Sequence, residues 1–219
     1  MSTLGTMITS IAEDLGRSDL SGANGAIETK IREAIAQYQP QSFFFNNNDQ
    51  ITFNTVVGQE RYTDADTMTV EYTDWYDLRT VFLEEASGRV HELLPMSYMG
   101  IRLLTDTASS SSRPTHYCRY GESIYVYPKP DLATYQLNPV GHYKIAAPAT
   151  SGEADNPWMT LGGGWDLIKH GATRRLYMDR IKNQQMAQSQ GLLEMAALEQ
   201  LSDQTVKKTR TSRIRSTTF

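Results

Sequence analysis

The spacing of apolar residues changes period twice along this chain, and that restricts the folds open to it. Near the N-terminus Leu4, Met7, Ile8, Ile11 and Leu15 recur as one helix face, and Gly16 stands where a helix would end. This predicts a helix over about residues 3–15. Residues 18–24 read as a polar loop. Ile27, Ile31, Ala34, Ile35 and Tyr38 then predict a second helix, ended by Pro40. Two amphipathic helices with a short link favour an antiparallel pair. A long run of helical spacing returns in the last third, at Leu167, Ile168, Ala172, Leu176, Tyr177 and Ile181. A further apolar run at Leu192, Leu193, Ala196, Ala197 and Leu201 extends this core stripe, which ends by Leu201.

The middle of the chain has a period of two. Phe43, Phe44 and Phe45 run into the turn cluster Asn46 to Asp49. Ile51, Phe53, Thr55 and Val57 alternate with smaller or polar residues, and Gly58-Gln59 turns the chain back toward Tyr62. Met68, Val70 and Tyr72 form another such run, and Thr80 to Leu83 a third. Ser87-Gly88 signals a tight turn, after which residues 90–94 return. These features predict hairpin-linked antiparallel strands. Ser97 can cap a short helix carrying Tyr98, Ile101 and Leu104, and the Ser-rich residues 108–114 read as a loop. Tyr117, Ile124, Val126 and the run from Tyr135 to Tyr143 supply more strands. Pro139 requires an edge or a bulge in its strand. Asp155 or Asn156 can cap a helix starting at Pro157, and Gly162–Gly164 break it before Trp165.

The fold class expected is therefore α+β: a helical bundle built from both chain ends, with an inserted antiparallel β-rich region and an extended C-terminal arm. The divisions fall at residues 1–42 (N-terminal helical part), 43–151 (β-rich insertion), 152–203 (C-terminal helical part of the same bundle) and 204–219 (the arm).

The arm is set apart by charge. From Gln204 to Phe219 apolar periodicity is absent, and Lys207, Lys208, Arg210, Arg213 and Arg215 meet no acid. Such a segment cannot bury enough apolar surface to order itself, so a partner must hold it. The whole chain carries a net charge of −4. With the five arm cations set apart, 16 basic and 25 acidic residues leave −9 on the body. A basic arm on an acidic body calls for a partner with an acidic surface, protein or nucleic acid.

Signals of chemistry are weak. His91, His116, His142 and His170 show no metal-ligand spacing, and Cys118 has no second cysteine with which to form a disulfide. No metal site and no cofactor is expected. Gly162–Gly164 lack the Gly-Lys-Ser/Thr ending of a phosphate loop. The pairs Glu84-Glu85, Asp64 with Asp66 and Asp74 with Asp77 read as solvated strand ends and turns rather than as a glycosidase acid pair. The many strand tyrosines read as packing rather than as a single-strand stacking platform. No apolar run approaches the roughly 18 residues of a membrane span. The early Glu13 and Asp14, without a basic leader, do not read as a secretory signal.

Several stretches, taken in order, resemble a known family. They are Ile31-x-x-Ala34-Ile35-x-x-Tyr38 leading into Ser42-Phe43-Phe44-Phe45-Asn46; Ile51-x-Phe53-x-Thr55 leading into Gly58-Gln59-x-x-Tyr62; Ile124-x-Val126-Tyr127-Pro128-x-Pro130-Asp131 with Tyr135; and Asn156-x-Trp158 before the Leu167–Tyr177 helix. Together they resemble the head-to-tail connector adaptors of tailed bacteriophages, over about residues 25–200. One departure is that Thr63-Asp64 follows the Gly-Gln-x-x-Tyr strand, where that family usually has Leu-Pro.

The resemblance implies a non-enzymatic structural protein of the virion's head–tail junction, assembled in the host cytoplasm. It implies self-association in a ring of twelve copies beneath the portal protein. The ring would dock the next tail component, a nozzle or tail-completion protein, and pass genomic DNA through its channel without specific binding. The C-terminal segment would extend along the portal, which makes Lys207, Lys208, Arg210, Arg213, Arg215 and Phe219 the portal-binding residues. Two other readings stand beside it: a cell-wall hydrolase-type adaptor, and a DNA-binding module using the basic tail.

Overall fold

The computed structural model describes residues 2–22, 25–48, 52–63, 75–107, 111–153, 156–160 and 162–209. The run from Met68 to Tyr72 lies outside these residues, as do Asp64, Asp66 and Asp74. The chain divides into two compact units, Met1–Phe45 with Ile145–Phe219, and Asn46–Lys144. With five helices and two sheets among the described residues, the fold is mixed α+β.

The first unit is helical. α1 (Leu4–Leu15) starts at Thr3, whose hydroxyl accepts from the Thr6 amide, and ends at Gly16 in the left-handed conformation (φ 62°). α2 (Ala26–Tyr38) follows, then, after the β-rich segment, α4 (Trp165–Leu176) and α5 (Gln184–Thr209). Leu4, Met7, Ile11, Ile27, Ile31, Ile35, Leu167, Ile168 and Leu176 are buried together. Each such side chain contributes about 1.5–3 kcal/mol by leaving water. Trp158, on a single 3-10 turn (Pro157–Met159) capped by Asn156, is fully buried among them. Phe43 and Phe45 meet its indole edge-on, at 5.9 and 5.0 Å between centroids. The three phenylalanines thus belong to the bundle core. The boundary expected at residue 43 falls at Asn46, because aromatic packing outweighs the local change of period. The one expected at 151 falls at Lys144, because Ile145 and Ala147 pack against the helical core and the Ile145 carbonyl accepts from Trp158 Nε1 at 3.2 Å.

The second unit is a two-sheet sandwich with one helix. One sheet has the order β1 (Asn47–Asn48), β9 (Gln136–Tyr143), β4 (Trp75–Glu84), β5 (Val90–Glu92), with β2 (Phe53–Asn54) also on β9. The other runs β3 (Arg61–Tyr62), β8 (Ser123–Tyr127), β7 (His116–Tyr120), β6 (Leu94–Pro95). The β6–β7 pair is parallel, unlike the all-antiparallel expectation. α3 (Tyr98–Thr107) separates those two strands, and a helical crossover is what brings strands parallel. Val81, Leu83 and Leu137 from one sheet meet Tyr62, Tyr117, Ile124 and Val126 from the other. The Tyr117 hydroxyl donates to the Arg79 carbonyl at 3.1 Å. Pro139 pairs with Val81 on one side. On its other side β2 pairs at residues 136–137 and β1 at 141–142, and none of the described residues is paired with Pro139 there, as a proline in a strand requires. At Gly141 a Cβ would come within 2.1 Å of the Asp77 carbonyl oxygen, so only glycine fits beside this bulged stretch of β4.

Candidate functional site

The expected docking residues lie at the end of α5, so the packing of that helix decides what they can do. After α4 the chain makes one π-helical turn (Tyr177–Ile181), and Lys182 takes the left-handed conformation (φ 59°). Asn183 caps the new helix, its side-chain oxygen accepting from the Met186 amide at 3.1 Å. α5 then returns antiparallel to α4, with Gln190 bonded to His170 at 2.8 Å and Ala197 to Gln204 lying beside Gly162 to Leu167.

The buried positions of α5 are Ala187, Glu194 and Leu201, seven residues apart, and beside them Gln190, Gly191, Ala197, Leu198, Gln204 and Thr205 are half-buried. This is a coiled-coil seam. Its central residue is a carboxylate. Glu194 is 4% exposed. It forms an ion pair with Arg174, has Arg175 Nη1 3.6 Å away, and accepts from the Tyr38 hydroxyl at 2.6 Å. The phenol is pushed well above its usual range, first by burial and then by Glu194. Gly171 on α4 leaves the space the carboxylate occupies: a Cβ there would lie 2.7 Å from Glu194 Oε1.

This seam overturns the expected core stripe. Of Leu192, Leu193, Ala196, Ala197 and Leu201, only the last two pack inward. Leu192 is 71% exposed, Met195 69% and Leu193 47%. Two arginines and a tyrosine satisfy the charge of Glu194, which lets the carboxylate take the seam and turns the leucines outward. Apolar spacing alone does not show such compensation. The missed signal is the pairing of small residues, Gly171 and Gly191, with Arg174-Arg175 and Glu194.

The C-terminal end also differs from expectation. Residues 204–209 continue α5 instead of opening an extended arm. The Phe44 amide donates to Thr205 Oγ1 at 3.1 Å, and Lys208 Nζ stands 3.4 Å over the Phe44 ring. Thr205 and Lys208 continue the seven-residue rhythm, and Lys207 and Lys208 lie in the last turn, where cations favour a helix end. Lys207 is exposed beside Asp203 and Glu199. Of the expected docking set, Lys207 and Lys208 stand on this helix, while Arg210, Arg213, Arg215 and Phe219 lie outside the described residues.

The carboxylates weighed for catalysis form no acid pair among the described residues. Glu85 bonds to Arg113 at 3.1 Å and His91 at 3.0 Å. Arg113 first, then His91 and Ser87, hold its carboxyl below the usual range, opposite to what a general acid requires. Glu84 is exposed on β4, and Asp77 faces Arg79 at 3.8 Å. His142 is buried against Asn46, and His116 bonds to Thr115. Among the described residues no three His, Cys, Asp or Glu side chains are placed to hold a metal. None of the described helices is long and apolar enough to cross a membrane.

A family model described as SU10 adaptor protein matches residues 2–217 of the chain. No curated protein matches it.

Proposed function

The chain belongs to the SU10 adaptor family of phage head-to-tail adaptors, a structural and non-enzymatic kind of protein, and from that premise we propose that it forms a ring joining the portal protein to the tail. In this reading twelve copies assemble at the head–tail junction of the virion, after synthesis in the host cytoplasm. They extend the DNA channel and present a face to the next tail component. An acidic body suits a conduit, because a wall of like charge does not neutralise phosphates and so does not grip passing DNA.

The observation that carries this reading is the outward face of α5. Leu192, Leu193 and Met195 are exposed within two turns while a glutamate fills the seam behind them. Such a cluster has no use in an isolated subunit and marks a surface made to be covered.

The portal contact is assigned to the arm, with Lys207, Lys208, Arg210, Arg213 and Arg215 meeting acidic portal surface and Phe219 anchoring the end. Each exposed ion pair is worth only about 0–1 kcal/mol, so the strength comes from repetition around the ring. The test is portal co-sedimentation of the full chain and of a chain ending at Thr209, at low and high salt. Loss of binding on truncation supports the arm; undiminished binding overturns it. Salt-sensitive binding of duplex DNA by the free protein, without portal binding, would favour the nucleic-acid reading instead.

A further inference from the structure

An apolar groove of about 700 Å³ lies along α5, lined by Met178, Ala187, Gly191, Leu192, Met195 and the stem of Arg174. The two methionines make its walls adaptable. Among the described residues of the helical unit, every exposed large apolar side chain lies between Met178 and Val206, on or beside this groove helix. The sandwich unit carries a different apolar feature. On α3, Ile101 is fully buried against Cys118 and Tyr125, and the opposite face presents Met99 and Leu103, 67% and 65% exposed. These two stand one turn apart, and exposed Asp106 continues the same stripe.

We infer that the α5 groove of one copy receives the Met99–Leu103 ridge of α3 from a second copy of this chain. The inference rests on the ring reading above. A ring needs a heterologous contact, in which each copy carries two different surfaces that fit each other. One chain here supplies both halves: a concave apolar groove and a convex helical ridge at helix-in-groove spacing. Charge agrees with the pairing. Within the groove Arg174 is paired with Glu194, and Asp179 beside it is paired with Lys30, which leaves the exposed Arg180 and Lys182 after Met178, whereas the ridge ends in exposed Asp106.

The test mixes full-length chains carrying Met99→Cys with chains carrying Met195→Cys on purified portal, followed by a short bis-maleimide. Cys118 is buried and stays silent. Cross-linked pairs are expected only when both variants are present, and a ladder of higher multiples when one chain carries both changes. Pairs formed by Met195→Cys chains alone would show a symmetric contact and overturn the inference. So would the absence of cross-links in rings that sediment with the portal; the ring reading would then stand without this contact. If no ring sediments with the portal even for the unmodified chain, the ring reading itself fails, and the inference with it. As a second measure, Leu192→Asp should reduce ring formation at least tenfold while the free subunit keeps its melting temperature. Rings formed at the unmodified level by a folded Leu192→Asp chain would also overturn the inference.

Discussion

The hydroxyl of Tyr38 donates to the buried carboxylate of Glu194 at 2.6 Å, tying α2 to α5 across 156 positions of sequence. The bond makes the seam of α5 polar at its centre, while Leu192, Leu193 and Met195 stand exposed. Several expected outcomes depend on that inversion.

Tyr38→Phe removes the donor and leaves Glu194 to the two arginines. The expected loss is about 1–2 kcal/mol in denaturant unfolding. The pH dependence has a definite sign. The folded-state pKa of Tyr38 is raised, by burial first, so its contribution is complete below the unfolded value of about 10 and is lost as pH rises above it. Tyr117, Tyr125, Tyr135 and Tyr143 are shifted the same way. Stability should therefore fall above about pH 10, and less steeply in Tyr38→Phe. An unchanged slope would remove Tyr38 from that set.

Gly171→Ala tests the space beside the carboxylate. In an open helix this change stabilises by about 1 kcal/mol. Here the new methyl would stand 2.7 Å from Glu194 Oε1 and 3.1 Å from Arg175 Nη1. Overpacking of about 1–3 kcal/mol should win, giving a lower melting temperature. A more stable variant would show that the network yields freely.

Met195→Asp should leave the free subunit within about 0.5 kcal/mol of the parent, because the side chain is 69% exposed. Ile168→Ala, at a fully buried position, should cost about 2–5 kcal/mol in the same urea titration. The contrast separates a position on α5 that the fold leaves in water from one in the helical core.

Truncation should divide the expected arm in two. A chain ending at Ser202 loses the Thr205–Phe44 hydrogen bond and the Lys208 cation over the Phe44 ring, worth together about 1–3 kcal/mol. A chain ending at Thr209 keeps both. Calorimetry should find the first less stable and the second unchanged.

Cys118 should resist thiol reagents in the native protein. Burial pushes its thiol up to about 11, and the thiolate is the reactive form. Labelling at pH 8 should appear only on unfolding, and rapid native labelling would mean that α3 opens from its sheet.

Much of this architecture was readable in the order of residues. The stripe from Leu4 to Leu15 with Gly16 after it, the stripe from Ile27 to Tyr38, and the Asn156-Pro157 cap lie where their spacing puts them. Local rules suffice there, because capping and amphipathic faces act within a few residues. The Ser87-Gly88 turn and the Ser97 cap are of the same kind. The ordered family resemblance was readable too, and the family match over residues 2–217 agrees with it.

What the tertiary structure alone decided concerns partners distant in sequence. Phe43–Phe45 join the bundle because Trp158, more than a hundred residues later, offers its edge to Phe43 and Phe45. Pro139 is accommodated between two short strands that pair on either side of it, with none of the described residues paired to it there. The helix continues through Thr209 because Phe44 meets Thr205 and Lys208. Glu194 goes inward, and Leu192 outward, because Tyr38, Arg174 and Arg175 converge on one carboxylate beside a glycine. Sequence spacing ranks residues by their own affinity for water. A buried charge is stabilised by neighbours brought together only on folding, so its place had to await the fold.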